Sequence, residues 1–146
     1  MNLLIILILF FQVGISSGRS EPQHCMSYEP AVVTLNGVIH RKTFAGRPNY
    51  ESIKDGDERE TYWILHVNKP ICVEANGRGS DDPDNQPESG VSQLQMNLDE
   101  KQYAQYKDLL GKQVSVTGKL AHAFTGHHHT NVRLVDITEV EPTGTN

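Results

Sequence analysis

The residues best suited to metal binding form a histidine cluster near the C-terminus. Four of the seven histidines, His122, His127, His128 and His129, lie within eight positions, in a segment that continues to Thr130. Imidazole binds zinc and copper, and His127 and His129 would share one face if this segment is extended. Three adjacent histidines cannot all reach one ion without distortion, because successive side chains diverge. Two interpretations therefore stay open: a zinc or copper site at His127 and His129, or imidazoles that order the loop through hydrogen bonds.

A second polar segment carries the donors and acceptors that orient a bound ligand. Its candidate ligand-binding residues are Arg47, Asn49, Tyr50, Glu51 and Ser52, followed by Asp57. A catalytic alternative would place His128 or His129 as a general base beside Ser52, Tyr50 or Asp57. The sequence contains no nucleophile elbow, phosphate loop, dinucleotide fingerprint, Cys-x-x-Cys or His-Glu-x-x-His, and it therefore favours a binding protein over an enzyme.

Apolar residues alternate along five stretches of the chain, which predicts five β-strands. In the first stretch, Gly37 either bends one long strand over a core or forms a hairpin turn with Asn36. The same apolar spacing around a glycine recurs in residues 114–120, which favours the bend. The predicted strands are 31–44, 61–73, 94–98, 112–120 and 132–140, with a bulge or edge at Pro70 and a solvated loop over residues 75–90.

Between the third and fourth strands, the apolar spacing changes to that of a helix. Tyr103, Tyr106 and Leu110 would share one helical face, Asp99 can cap the start, and Gly111 can end the last turn. Five strands with one helix between the third and fourth are typical of the OB-fold. We therefore expect a mainly β protein, a small five-stranded OB-like Greek-key barrel.

The OB-fold also predicts where a ligand would bind. Such barrels bind ligands between the loop after the first strand and the loop after the fourth strand. These are the two polar segments of this sequence. We therefore expect residues 47–57 and 122–130 to meet at one end of the barrel and to form a single polar pocket.

Length and charge narrow the possible partners. A chain of 146 residues with 37% hydrophobic residues has the size of one ordinary domain. Thirteen Lys and Arg against eighteen Asp and Glu give a formal net charge of -5. This sign argues against a nucleic-acid partner, because binding to a phosphate backbone depends on cationic side chains.

The first residues have the pattern of a secretory signal peptide. Leu3 to Phe11 is an unbroken apolar run, and small polar residues follow it at positions 16–18. The run is too short to cross a bilayer, so we expect no membrane anchor after cleavage. We assign residues 1–20 to the signal peptide and residues 21–146 to a single OB-like domain, with cleavage before Arg19 or before Glu21.

Only two cysteines, Cys25 and Cys72, remain in the predicted mature chain. Export brings a protein into an oxidising compartment, which favours joining them in a disulfide. The alternative is a pair of buried free thiols.

Two motifs carry a resemblance to a known family. The segments Asn-Tyr-Glu-Ser-Ile at 49–53 and Thr-Gly-His-His-His-Thr at 125–130, with the strands around them, are similar to small exported bacterial proteins classed as a domain of unknown function. The resemblance implies a bacterial envelope protein, periplasmic or extracellular, with a paired cysteine and an OB-like barrel. It implies no activity.

These observations together give one functional expectation and one alternative. We expect an exported, monomeric binding module whose polar pocket takes an unknown envelope protein, a glycan or a small ligand. The alternative is divalent metal binding, or metal-assisted hydrolysis, at the histidines.

The signal-peptide assignment makes a direct prediction. Expression in a bacterium with an intact secretion system should yield mature protein that begins at Arg19 or Glu21. N-terminal sequencing and intact mass of the purified protein would measure this. Recovery of a chain that retains the apolar run of residues 3–11 would contradict the assignment.

Overall fold

A computed structural model of the protein describes residues 24–77 and 81–144; the predicted signal peptide lies outside them. The strands are β1 (Met26–Ser27), β2 (Val32–Ala45), β3 (Arg59–Glu74), β4 (Glu88–Met96), β5 (Gln113–His122) and β6 (Val132–Pro142). The α-helix α1 spans Glu100–Tyr106, and three short 3-10 turns span Ile53–Asp55, Pro83–Asn85 and Lys107–Leu109. In the described part of the chain, no helix is both long and apolar enough to span a membrane.

Five strands close into a barrel in the order β3, β2, β5, β6, β4, with β4 pairing again with β3. The neighbours are antiparallel except β4 and β6, which run parallel through Gln95 and Met96. Helix α1 lies between β4 and β5 in the chain, which are the third and fourth strands of the barrel. This order confirms the predicted five-stranded OB-like Greek-key barrel.

Strand β2 is continuous and bends at Gly37, so the hairpin alternative is wrong. Gly37 pairs with Val67 of β3 on one edge and with Val114 of β5 on the other. A side chain at Gly37 would collide with the backbone carbonyl of His66. The missing side chain therefore allows β2 to pair with both β3 and β5, which closes the barrel.

The barrel interior is filled by the alternating apolar residues of all five strands. Trp63 is only 5% exposed and belongs to this core, together with Leu35, Leu65, Val116 and Leu134. Burial of each such side chain contributes about 1.5 to 3 kcal/mol. Tyr103 of α1 meets the Trp63 ring edge-on at 5.0 Å between centroids. The helix therefore covers one part of the core.

The start of α1 is set by a capping box. The Asp99 carboxylate accepts a hydrogen bond from the Gln102 backbone N–H at 2.8 Å, and the Gln102 side-chain oxygen accepts one from the Asp99 N–H at 3.0 Å. Gln102 also donates to the carbonyl of Ile137 in β6 at 2.8 Å. The capping box therefore sets the start of the helix, and the bond to Ile137 holds the helix, with Tyr103, against β6.

The third barrel strand begins earlier than predicted. Strand β4 starts at Glu88, inside the stretch predicted as a loop, and Leu98 lies beyond its end. Residues 88–92 show no apolar alternation, but pairing of Val91 with Ile71 extends the strand. Asn85 is also buried and bonded to the backbone of Asn76, so residues 75–90 are not simply a solvated loop.

Two irregularities interrupt the strand pairing. The pairing of β3 with β4 shifts register between His66 and Ile71, next to Pro70, where the sequence predicted a bulge or edge. The pairing of β5 with β6 shifts between Thr117 and Lys119, opposite residues 135–139, where Asp136 has φ 45°. This second shift corresponds to a bulge.

Cys25 and Cys72 form a disulfide, with an S–S distance of 2.10 Å, which confirms the prediction. The bond fastens the segment before β1 to β3, where Met26 pairs with Val73 in parallel. The two cysteines are 47 positions apart, so the bond closes a long loop of the unfolded chain.

Removal of this bond should destabilise the barrel without unfolding it. We expect Cys72→Ser to lower the free energy of unfolding by about 4 kcal/mol, because the unfolded chain regains its loop entropy. Urea denaturation, monitored through tryptophan emission, would measure the decrease in the free energy of unfolding. The double variant Cys25→Ser, Cys72→Ser should match the single one. Equal stability of the wild type and both variants would contradict the prediction.

Candidate functional site

The two polar segments meet, as expected, through Tyr50 and His127, but none of the described residues of the first segment lines the surface cleft that borders the second. We call residues 46–58 the first loop and residues 123–131 the histidine loop. The Tyr50 hydroxyl lies 3.0 Å from His127 Nε2, and the two rings meet edge-on at 5.1 Å between centroids. Gly126 lies so close to the Tyr50 ring that a Cβ there would approach it to 2.8 Å. The glycine therefore permits this contact.

The buried carboxylate of Asp57 orders the first loop. It accepts hydrogen bonds from the backbone N–H groups of Asn49, Glu51 and Ser52 at 2.8–2.9 Å. Bonds from the N–H groups of Ser52, Asn49 and Glu51 hold the pKa of Asp57 below its usual value. Within the described residues, no histidine of the histidine loop contacts Asp57. The carboxylate therefore shapes the first loop, and the catalytic alternative with a histidine general base beside Asp57 is not formed.

Glu60, at the start of β3, is the anion beneath the histidine loop. Its carboxylate lies 2.8 Å from His127 Nδ1 and 3.5 Å from His129 Nε2. Burial alone would raise the pKa of Glu60, but interactions with His127, His129 and the Tyr62 hydroxyl leave it below the usual value. The carboxylate is therefore ionised at neutral pH and attracts the loop. Glu60 could not be recognised from the sequence, because the predicted strand begins at residue 61 and Glu60 falls at the end of the preceding loop, whereas β3 begins at Arg59.

His129 occupies the outer face of the sheet. Its ring stacks on Phe44 of β2 at 4.1 Å between centroids and 2° between planes, and it lies 5.5 Å from the Tyr62 ring. Burial lowers the pKa of His129, and the Glu60 carboxylate opposes this effect. The aromatic platform that an OB-fold can offer to a ligand is thus partly covered by the protein's own imidazole.

Gln95 of β4 fastens the histidine loop to the barrel. This side chain is 2% exposed, accepts from the His129 N–H at 2.8 Å and donates to the His127 carbonyl at 3.0 Å. Its backbone N–H donates to the Thr130 hydroxyl at 2.8 Å. Because Gln95 alternates with the buried Leu94 and Met96, its burial could not be predicted from the sequence.

His128 stabilises the loop from within. Its Nδ1 accepts hydrogen bonds from the backbone N–H groups of Phe124 at 3.0 Å and Thr125 at 3.3 Å. Burial, followed by the charge of Arg133, lowers the pKa of His128 from 6.5 to about 4. A neutral imidazole is required here, because a protonated Nδ1 cannot accept these bonds.

Some predicted site residues do not take part in the contact between the first loop and the histidine loop. His122 lies apart, with Nε2 3.0 Å from a Glu88 oxygen and its ring edge-on to Tyr28. The side chains of Arg47 and Glu51 are exposed to solvent. Ser52 takes part through its backbone N–H, and Thr130 through its bond with Gln95.

The two histidines predicted to bind zinc or copper approach the same carboxylate, but His129 Nε2 stays 3.5 Å from it and makes no hydrogen bond to a described residue, and His127 is already fully bonded. His127 uses both ring nitrogens, one toward Glu60 and one toward Tyr50. Across residues 24–77 and 81–144, no group of three His, Cys, Asp or Glu side chains is arranged to hold a metal ion. An ion at this position would have to replace the existing hydrogen bonds.

A cleft of about 200 Å3 opens beside the histidine loop, between the end of β4 and α1. Its walls include Tyr62, Asn97, Leu98, Tyr103, His127 and His128. None of the described residues that line it is Asp, Glu, Lys or Arg. The cleft therefore offers aromatic, amide and imidazole groups without a formal charge.

Comparison with protein families finds one match. Residues 93–141 match the family described as "Domain of unknown function (DUF4431)", a region that includes α1, β5, the histidine loop and most of β6. The Asn49–Ile53 segment lies outside it. The search of curated proteins and the search of solved structures each found no match.

The role of His128 makes the stability of the protein depend on pH. The pKa of His128 is about 4 in the folded protein and 6.5 ordinarily. As the pH falls from about 6.5 to about 4, this side chain is therefore protonated in the unfolded chain before it is protonated in the folded protein. The free energy of unfolding should therefore decrease from about pH 6.5 to about pH 4.

The variant His128→Asn tests this cause. Asn keeps an acceptor near the position of Nδ1 but cannot be protonated, so we expect a shallower loss of stability over the same pH range. Urea unfolding at several pH values would measure it, with the exposed His24→Asn as the control. An unchanged pH dependence in His128→Asn would contradict the assignment.

Proposed function

We propose that the protein is an exported binding module whose ligand enters the cleft between Tyr62, Tyr103 and the histidine loop. The observation that carries the proposal is the position of this cleft. It lies beside the histidine loop, which is one of the two loops that OB-folds use for ligands, and its other walls come from β3, the end of β4 and α1. Export is supported by the apolar run at residues 3–11 and by the disulfide between Cys25 and Cys72.

The lining favours an uncharged ligand with hydroxyl or amide groups. The rings of Tyr62 and Tyr103 offer apolar faces with polar ends, and the exposed Asn97 side chain offers both a donor and an acceptor. His128 is neutral at physiological pH and adds no charge. A single unit of a neutral glycan has this chemistry.

The size of the cleft limits how much of a ligand can enter. Pockets for drug-sized ligands have volumes of about 300 to 1,000 Å3, and this cleft has about 200 Å3. We infer that one unit of a longer chain enters, while the remainder lies along the surface.

The contacts beneath the histidine loop explain how the cleft would be kept in shape. Gln95 bonds both the His127 carbonyl and the His129 N–H, so the wall formed by His127 and His128 is attached to β4. A wall that is ordered before binding lowers the entropic cost of association.

Asn97→Ala tests the proposal, because Asn97 lines the cleft while its backbone N–H bonds the Leu134 carbonyl and would be unaffected. We expect binding of a neutral oligosaccharide to weaken about fivefold, the value of one hydrogen bond. Suitable probes are maltotriose, cellotriose and the trisaccharide of N-acetylglucosamine, titrated against 15N-labelled protein.

The matched control is Asn68→Ala, an exposed asparagine on another part of the surface. It should bind as the wild type does. If none of the probes shifts the resonances of Tyr62, Asn97 or Tyr103, the glycan proposal is wrong.

The second candidate is a zinc or copper ion at His127 and His129, with metal-assisted hydrolysis as its activity. The observation in its favour is that both imidazoles approach the Glu60 carboxylate. We rank it second because the ion would have to displace the bonds of His127 to Glu60 and Tyr50. Loss of stoichiometric metal binding in His127→Gln and His129→Gln would favour it.

A further inference from the structure

Two other histidines, distant in sequence, lie side by side on the outer face of the barrel. His40 is in β2 and His66 is in β3. The antiparallel register pairs His40 with Ile64 and His66 with Val38, so the two imidazoles are diagonal neighbours. Their ring centroids are 4.5 Å apart and their planes are inclined by 58°.

These two imidazoles differ from His122, His127 and His128 in having their nitrogens free of hydrogen bonds. Within residues 24–77 and 81–144, neither ring makes a hydrogen bond or an ion pair, whereas His122, His127 and His128 all do. His40 is exposed and His66 is half-buried, so an ion can reach both from solvent.

The surroundings of His66 favour the neutral form that binds metals. Burial, the neighbouring His40 and the charge of Lys42 lower the pKa of His66. A neutral imidazole has a lone pair to donate, and protons compete less with a metal at neutral pH. Lys42 is the cationic group that would oppose the ion, and its ammonium lies 4.9 Å from the Phe44 ring centroid.

The spacing fits two ligands at right angles around one ion. With metal–nitrogen bonds of about 2.0 Å, two imidazoles at adjacent corners of a square have centroids roughly 4.5 Å apart. The observed separation is 4.5 Å. A tetrahedral arrangement requires a wider separation, about 5 Å, so the pair matches tetragonal coordination better.

We propose that His40 and His66 form a Cu2+ site on the barrel surface, separate from the histidine loop. Copper has the highest affinity for nitrogen ligands among the common divalent metals, and it prefers tetragonal nitrogen and oxygen coordination. Gln93 of β4 lies opposite His66 in the sheet and offers an amide oxygen on the same face. Water completes the coordination.

The experiment titrates the whole mature protein with Cu2+ alone, in a buffer that does not chelate it. We expect one ion per chain, and His40→Gln or His66→Gln should each lower the affinity by about tenfold or more, since even second-shell changes cost about 10- to 100-fold. His24→Gln, an exposed histidine elsewhere, is the matched control and should bind as the wild type does.

Two further measurements separate this site from the histidine loop and from misfolding. Substoichiometric Cu2+ should broaden the imidazole C–H resonances of His40 and His66 before those of the other histidines. The variant His127→Gln should bind Cu2+ with unchanged affinity, and thermal unfolding should show that the His40 and His66 variants are folded.

Either of two results would overturn the proposal. One is unchanged Cu2+ affinity in both His40→Gln and His66→Gln, which would show that these rings are not ligands. The other is loss of binding in His127→Gln or His129→Gln alone, which would assign the ion to the histidine loop. Failure of the oligosaccharide titrations would leave the copper site unaffected, because the two sites share no residue.

Discussion

The candidate site depends on one partly buried carboxylate, that of Glu60. An ionised group removed from water must be compensated by hydrogen bonds or opposite charge. His127, His129 and the Tyr62 hydroxyl provide this compensation from three directions. The histidine loop is therefore attached to the outer face of β3, and Tyr50 of the first loop is joined to it through the second nitrogen of His127.

This attachment determines which surface remains available for a ligand. With His129 stacked on Phe44, the aromatic platform of β2 and β3 is covered, and the accessible cleft lies beside the loop, toward α1. The bonds of Gln95 support the same arrangement from the side of β4. A wall built from so many local contacts is ordered before a ligand arrives.

The histidines of this protein fall into two chemical groups. In the histidine loop, His127 and His128 use their nitrogens to bond carboxylate, hydroxyl and backbone groups, and His129 stacks on Phe44, so these residues maintain the structure of the loop. His40 and His66 have no such partners within the described residues, and they share an exposed patch of sheet. A cluster of histidines in the sequence is therefore a weaker indication of a metal site than free nitrogens at the right separation.

The sequence by itself determined the local features of this protein. Period-two alternation predicted the strands, Asp99 and Gln102 predicted the start of α1, and the two cysteines predicted the disulfide, because these signals depend on neighbouring residues or on simple pairing. The order of elements was then sufficient for the barrel. The same order predicted that the two loops would meet.

The tertiary structure alone decided which side chains face one another. Alternation assigns Gln95, His40 and His66 to a face of a strand, but it does not say which strand is adjacent or which loop folds over that face. Pairing of β2 with β3 brings His40 to His66, and the path of the histidine loop brings His127 to Glu60. These contacts depend on register and chain closure between distant segments, and neither is encoded in the spacing of neighbouring residues.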